Sequence, residues 1–168
     1  ILYANYWYRS GTNRTMRDHL AGIAKSAMQL TPTPAPTVLD IGCNDGTLLK
    51  CYPAEAKRYG VDPSDIAGEL GDLATVVNTV FPSDRAMAIL PKQGIDIVTS
   101  IAMFYDLENP VGFAMAINEL LSPDGIWVFE MSYLPLMLAQ NSFDTICHEH
   151  LEYYSLAVLE DIAQRAQM

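Results

Sequence analysis

The chain has 168 residues, 50% hydrophobic and 18% charged, with ten basic against twenty acidic residues and a formal net charge of −10. This is the composition of a folded domain and not of a disordered segment, and the acidic balance leaves no basic face for a nucleic-acid partner. No apolar run reaches the ~18 residues of a membrane span and no signal-peptide pattern opens the chain, so a cytoplasmic location without a membrane partner is expected.

Along the chain, Met16, Leu20, Ile23, Ala24 and Ala27 recur at helical spacing and predict an amphipathic helix over 13–30. Arg9, Arg14 and Arg17 lie on or just before it, a cluster suited either to a small anion or to a solvated helix face. The alternating prolines of "TPTPAPT" then form a stiff connector. "TVLDIG" reads as a buried strand, "DGTLLKCY" as the start of a helix, "RYGVDP" as a second strand and "SDIAGEL" as a short helix. "ATVVNTVF" and "GIDIVTSIAMF" read as the third and fourth strands. Asn109 as N-cap, with Pro110 at the first helical position, opens a helix through Leu121. Pro123-Asp124-Gly125 turns into a fifth strand, "IWVFEMS". Strands that are continuous apolar runs, alternating with helices, predict a doubly wound α/β domain with a mainly parallel sheet.

Cys43, Cys51 and Cys147 are odd in number and form no CxxC pair, as expected of free thiols in a reducing compartment. No Met opens the chain, and Met168 falls inside a helical pattern without a stop signal. A piece of a longer protein, or one with trimmed ends, is expected; nothing in the sequence sets the oligomeric state.

In a doubly wound sheet, ligands bind at the carboxyl ends of the strands. The first strand ends in "LDIGCNDG", where Gly42 and Gly46 permit a tight turn and Asn44 tolerates a left-handed conformation. Asp62 ends the second strand, placed to accept hydrogen bonds from ribose hydroxyls. A dinucleotide would call for G-x-G-x-x-G. This turn offers G-x-x-x-G flanked by Asp40 and containing Asp45, carboxylates that would repel a pyrophosphate and attract a sulfonium and an amino group. Electrostatics therefore favours S-adenosylmethionine over NAD.

"VLDIGCNDGTLL" followed by "GVDPS" resembles the first two cofactor motifs of class I S-adenosylmethionine-dependent methyltransferases. That resemblance implies a Rossmann-like fold. It gives Asp40, Gly42, Asn44 and Gly46 to the methionine moiety, Asp62 to the ribose, and Ala102 and Met103 to the flanks of the adenosyl group.

"FDTICHEHLEYYSL", residues 143–156, gathers two histidines, two glutamates and a cysteine. As a metal site it is poorly spaced: in an extended segment Cys147 and Glu149 point away from His148 and His150, so no metal is expected. It can also be a polar loop without chemistry. The third reading is a general base: a neutral histidine can take a proton near neutral pH, and carbon methylation needs one taken from an acidic C–H. The stretch resembles the signature of C-methyltransferases acting on nucleotide-linked deoxy-4-ketosugars. That likeness implies His150 as the base removing the proton beside the ketone, with Glu149 as its partner, and leaves His148 or a tyrosine to face the enolate oxygen. "YWYRSGT" is similar to the segment ahead of that family's core and places Tyr8 near cofactor and substrate. Cys147 stands where that family shows Tyr, and the family's zinc module and most of its C-terminal domain lie outside this sequence. On this reading residues 1–133 form the cofactor-binding core and 134–168 begin a truncated substrate region. The acceptor would be a small molecule, a sugar nucleotide by this resemblance. An O- or N-methyltransferase of another metabolite, or a non-catalytic cofactor-binding module, are the alternatives. Tyr3, Tyr6, Tyr8, Tyr153 and Tyr154 can equally be amphipathic packing residues, and Met103, Phe104 and Met131 read as core that could line an adenine slot.

Overall fold

A computed structural model describes residues 8–144 and 146–168; Tyr3 and Tyr6 lie outside the described residues. Helix α1, Arg14–Leu30, starts where Asn13 accepts the Thr15 N–H through its side chain at 2.8 Å. It buries Leu20, Ala24 and Ala27 on the face the sequence predicts. Five strands follow: β1 Thr37–Ile41, β2 Lys57–Val61, β3 Thr75–Val77, β4 Ile95–Ile101 and β5 Leu121–Glu130. They form one sheet in the order β3-β2-β1-β4-β5, parallel throughout. Helices α2 (Asp84–Ile89), α3 (Pro110–Leu120), α4 (Leu134–Gln140) and α5 (Leu156–Arg165) complete the chain.

Side chains alternate across the strands, so the sheet has two buried faces. Val38 and Ile97 pack under α1 with Leu20, Ala24 and Leu49. Leu39 and Val98 pack on the opposite side with Phe104, Phe113, Ile117 and Ile162, beneath α3 and α5. Phe104 is the hub of that second layer, its ring within 5.8 Å, centroid to centroid, of those of Phe113, Trp127, Phe129 and Tyr154. Strands are added outward in one direction from β1 to β3 and in the other from β4 to β5, which puts the switch point between β1 and β4, beside the glycine turn.

Local chemistry explains where the elements depart from expectation. Residues after Gly46 form only turns and a 3₁₀ stretch, Leu49–Cys51, in place of a helix. Arg58 donates to the carbonyls of Leu49 and Tyr52, each at 3.0 Å, occupying acceptors that a helix would use, and Pro53 follows at once. The third strand stops at Val77 because Asn78 turns its side chain back to the carbonyls of Asp62 and Ser64, at 3.0 and 2.7 Å. Helix α2 had no periodicity to announce it in six residues, though Ser83 caps it by accepting the Ala86 N–H. Asn109 and Pro110 open α3 as the sequence predicts, with Asn109 accepting the Gly112 N–H at 3.0 Å. Among the described residues no helix is long and apolar enough to cross a membrane, and Cys43, Cys51 and Cys147 are free.

Candidate active site

Three carboxyl ends meet at the switch point: the turn after β1, Asp62 after β2 and the loop after β4. Gly42, Asn44 and Gly46 all take positive φ, at 80°, 48° and 70°. A Cβ on Gly46 would also come within 2.7 Å of Leu70 Cδ2, so this position excludes a side chain twice over. Asp62 is buried and holds the turn shut, accepting the Asn44 N–H at 2.8 Å and the Ser64 N–H at 2.7 Å.

Asp40 is buried beneath the turn and accepts the Thr99 hydroxyl at 2.7 Å. Burial raises its pKa to about 7; the Thr99 hydrogen bond opposes the rise and the nearby Asp62 charge adds to it. Two buried carboxylates thus share one end of the cleft, and their hydrogen-bond donors are hydroxyls and backbone N–H groups rather than cations. That donor set fits a cationic ligand and disfavours a pyrophosphate.

The N-terminal segment is fastened across the same turn. Asn44 accepts the Ser10 N–H at 3.0 Å and donates to the Tyr8 carbonyl at 2.9 Å, while Asp45 accepts the Gly11 N–H at 2.9 Å. Arg9 forms a two-pronged ion pair with Glu69 at 2.7 and 2.8 Å. The Tyr8 backbone is therefore held to the turn. Asp45, expected to face a cationic ligand, instead ties strap to turn. Arg14 pairs with Asp18 along α1, and Arg17 donates to the Gly11 carbonyl at 2.6 Å.

On the other wall, Ala102 has φ 55°, and the Met103 side chain lies 3.6 Å from where a Gly42 Cβ would stand. Two residues on, the Tyr105 carbonyl accepts the N–H groups of Leu151 and Glu152 at 3.0 and 3.1 Å. This docks the histidine-rich segment on the loop after β4. The His150 ring sits 4.1 Å from that of Tyr105 and 6.4 Å from that of Tyr153. The structure thus brings His150 to the loop that bounds the glycine turn. Glu149 lies with His148, Oε1 to Nε2 at 3.7 Å, and His148 is 81% exposed. Tyr154 is buried core, its hydroxyl pushed up to about 12 by burial and then by the Glu152 charge. Thr99 and Tyr105 escaped the sequence reading. Thr99 had no signal beyond its strand, while Tyr105 follows Ala102 and Met103 closely enough to have been included.

Comparison with known proteins agrees with this fold. A family model described as a methyltransferase domain matches residues 8–168. The C-methyltransferase NovU of Streptomyces niveus is 27% identical over 164 residues, covering 95% of this chain and 39% of its own length; the chain thus spans well under half of that relative. An S-adenosylmethionine-dependent methyltransferase from Archaeoglobus fulgidus superposes with a TM-score of 0.65 at 19% identity, over 89% of this chain and 68% of that one. The plantazolicin methyltransferase BpumL, solved with SAH, gives 0.65 at 17% identity over 87% and 61% of the two chains. Both superpositions place the Rossmann-like fold.

Proposed function

The chain belongs to the methyltransferase-domain family, and on that premise we propose that it transfers a methyl group from S-adenosylmethionine to carbon in a small keto-substrate, a nucleotide-linked 4-keto-deoxysugar. In this reading residues 1–133 carry the cofactor and 134–168 begin the acceptor side. Asp40 and Asp62 sit at the cationic methionine end and the ribose; Gly42, Asn44 and Gly46 let the backbone approach; Ala102 and Met103 flank the adenosyl group. When bound, S-adenosylmethionine supplies an electrophilic methyl group and leaves as a neutral thioether.

The observation that carries the proposal is the docking of His150 on Tyr105, two residues past the Met103 side chain that packs toward Gly42. A base on this loop lies at the cleft's mouth. His150 takes the proton from the carbon beside the ketone, the C–H pair becomes the enolate, and that pair then forms the new carbon–carbon bond as the ketone is restored. Tyr8 and His148 serve the acceptor, with His148 or a tyrosine as donor to the enolate oxygen. Glu149, paired with His148, acts on the base through the local field of the segment. Holding both reactants in one cleft supplies much of the rate.

The test is deuterium wash-in. The full-length protein incubated in D₂O with the 4-ketosugar nucleotide exchanges the proton beside the ketone, and His150→Ala abolishes the exchange. Persistent exchange in that variant removes His150 as the base; full methyl transfer without it points to an oxygen or nitrogen acceptor instead.

A further inference from the structure

Neither the cofactor motifs nor the histidine-rich segment accounts for a second imidazole–carboxylate pair at the carboxyl edge of the sheet. His19 Nε2 lies 2.9 and 2.8 Å from the two carboxylate oxygens of Glu130. Glu130 is the last residue of β5. It continues the side of the strand that carries Ile126 and Val128, which pack in the α1 layer. Trp127 and Phe129 face the other way, onto Phe104. His19 precedes Leu20 on α1, so helix and strand meet here with a polar pair where their apolar contacts end.

The place matters more than the contact. Glu130 pairs in register with Ile101, and its carbonyl accepts the Ala102 N–H at 2.8 Å. Ala102 is the left-handed residue beside Met103, so the Glu130 backbone adjoins the loop that bounds the glycine turn. His150 reaches the same edge from the opposite face, since Tyr105 packs against the Phe104 layer. Two imidazoles therefore approach the carboxyl edge from the two faces of the sheet. His19 and Glu130 are 46% and 45% exposed, and an ion pair that wet contributes little to stability.

We propose that His19, oriented by Glu130, binds a hydroxyl oxygen of the acceptor on the α1 side of the cleft. The Glu130 carboxylate takes up Nε2 and leaves Nδ1 as the ring nitrogen open to a ligand hydroxyl, a group that can both donate and accept. The ligand chemistry is that of a polyhydroxylated small molecule, one hydroxyl of which hydrogen-bonds to Nδ1 while its acidic C–H faces His150. The assignment rests on the proposed keto-substrate, and its role is binding and orientation, without proton transfer.

The experiment uses the full-length protein with the 4-keto-deoxysugar nucleotide and, as control, the nucleoside diphosphate alone. His19→Ala is expected to raise the acceptor KM about tenfold, the loss of one hydrogen bond to substrate, with kcat and S-adenosylmethionine affinity little changed. His19→Gln, which keeps a polar group there, restores part of the loss, and Glu130→Gln gives an intermediate defect. The imidazole nitrogen resonances of His19 shift on adding the ketosugar nucleotide and stay in place with the diphosphate alone. An unchanged KM with unmoved resonances overturns the assignment, as does a defect confined to cofactor affinity. If the resonances move with the ketosugar while His150→Ala retains deuterium exchange, the His19 subsite stands and the base assignment alone falls.

Discussion

The rings of Tyr105 and His150 lie 4.1 Å apart, centroid to centroid, and this contact sets the histidine-rich segment against the loop after β4. Tyr105→Ala keeps the carbonyl that anchors Leu151 and Glu152 but removes the ring platform. The expected outcome is a kcat about 10- to 100-fold lower, with S-adenosylmethionine affinity within about twofold of the parent, because a misplaced base costs rate rather than cofactor binding. Steady-state kinetics with a parallel calorimetric titration checks this; an unaltered kcat removes the platform role.

Phe104 supports that platform from below. It is almost wholly buried among four aromatic rings, so Phe104→Ala leaves a cavity and is expected to cost ~3–5 kcal/mol of stability. Phe104→Leu should cost less than half as much. Chemical denaturation of both variants measures the difference.

Gly46 meets two constraints, φ 70° and a blocked Cβ position against Leu70. Gly46→Ala is expected to destabilise the chain by about 2 kcal/mol or more and to lower cofactor affinity as the turn shifts. Thermal denaturation with and without S-adenosylmethionine reports both effects. A stable variant with parental affinity would show that the turn accommodates a side chain.

Asp40 is expected to make S-adenosylmethionine binding pH-dependent. Its ordinary pKa is ~3.9, and burial lifts it to about 7 in the folded chain. The folded state therefore holds more protons than the unfolded state between those values, so this group's contribution lowers stability as pH rises through that window. A cationic ligand favours the ionised carboxylate, so S-adenosylmethionine affinity is expected to rise with pH through about 7, with proton release on binding. S-adenosylhomocysteine, neutral at sulfur, shows a shallower slope. Thr99→Val removes the hydrogen bond that holds Asp40 down and moves the midpoint upward; Asp40→Asn flattens the profile. Calorimetry in buffers of different ionisation enthalpy reads the proton count, and an Asp40→Asn profile like the parent's would place the titrating group elsewhere.

The parallel sheet, the glycine turn and Asp62 were legible in the sequence because each is written locally, in apolar runs, glycines and an acid at a strand end. The carboxylate roles were only half legible. "LDIGCNDG" announces its acids, but nothing in it shows that Asp40 is covered by Thr99 while Asp45 is taken up by the Gly11 N–H. Those partners lie 59 and 34 residues away. The helix expected after Gly46 failed for the same reason: Arg58, from the next strand, claims the carbonyls that its hydrogen bonds would have used. His19 and Glu130 are 111 residues apart, and no local pattern joins them.

The N-terminal strap has a kinetic consequence. Tyr8–Gly11 is held to the turn by a few hydrogen bonds and one exposed ion pair, while the sheet beneath is held by interdigitated apolar layers. Such a segment detaches in a local opening far less costly than global unfolding. The amide protons of Ser10 and Gly11 should exchange with solvent deuterium well before those of β1 and β4, and salt that screens Arg9 from Glu69 should speed them further. A cofactor seated in the turn would slow those two amides selectively, making them reporters of occupancy that need no substrate and no turnover.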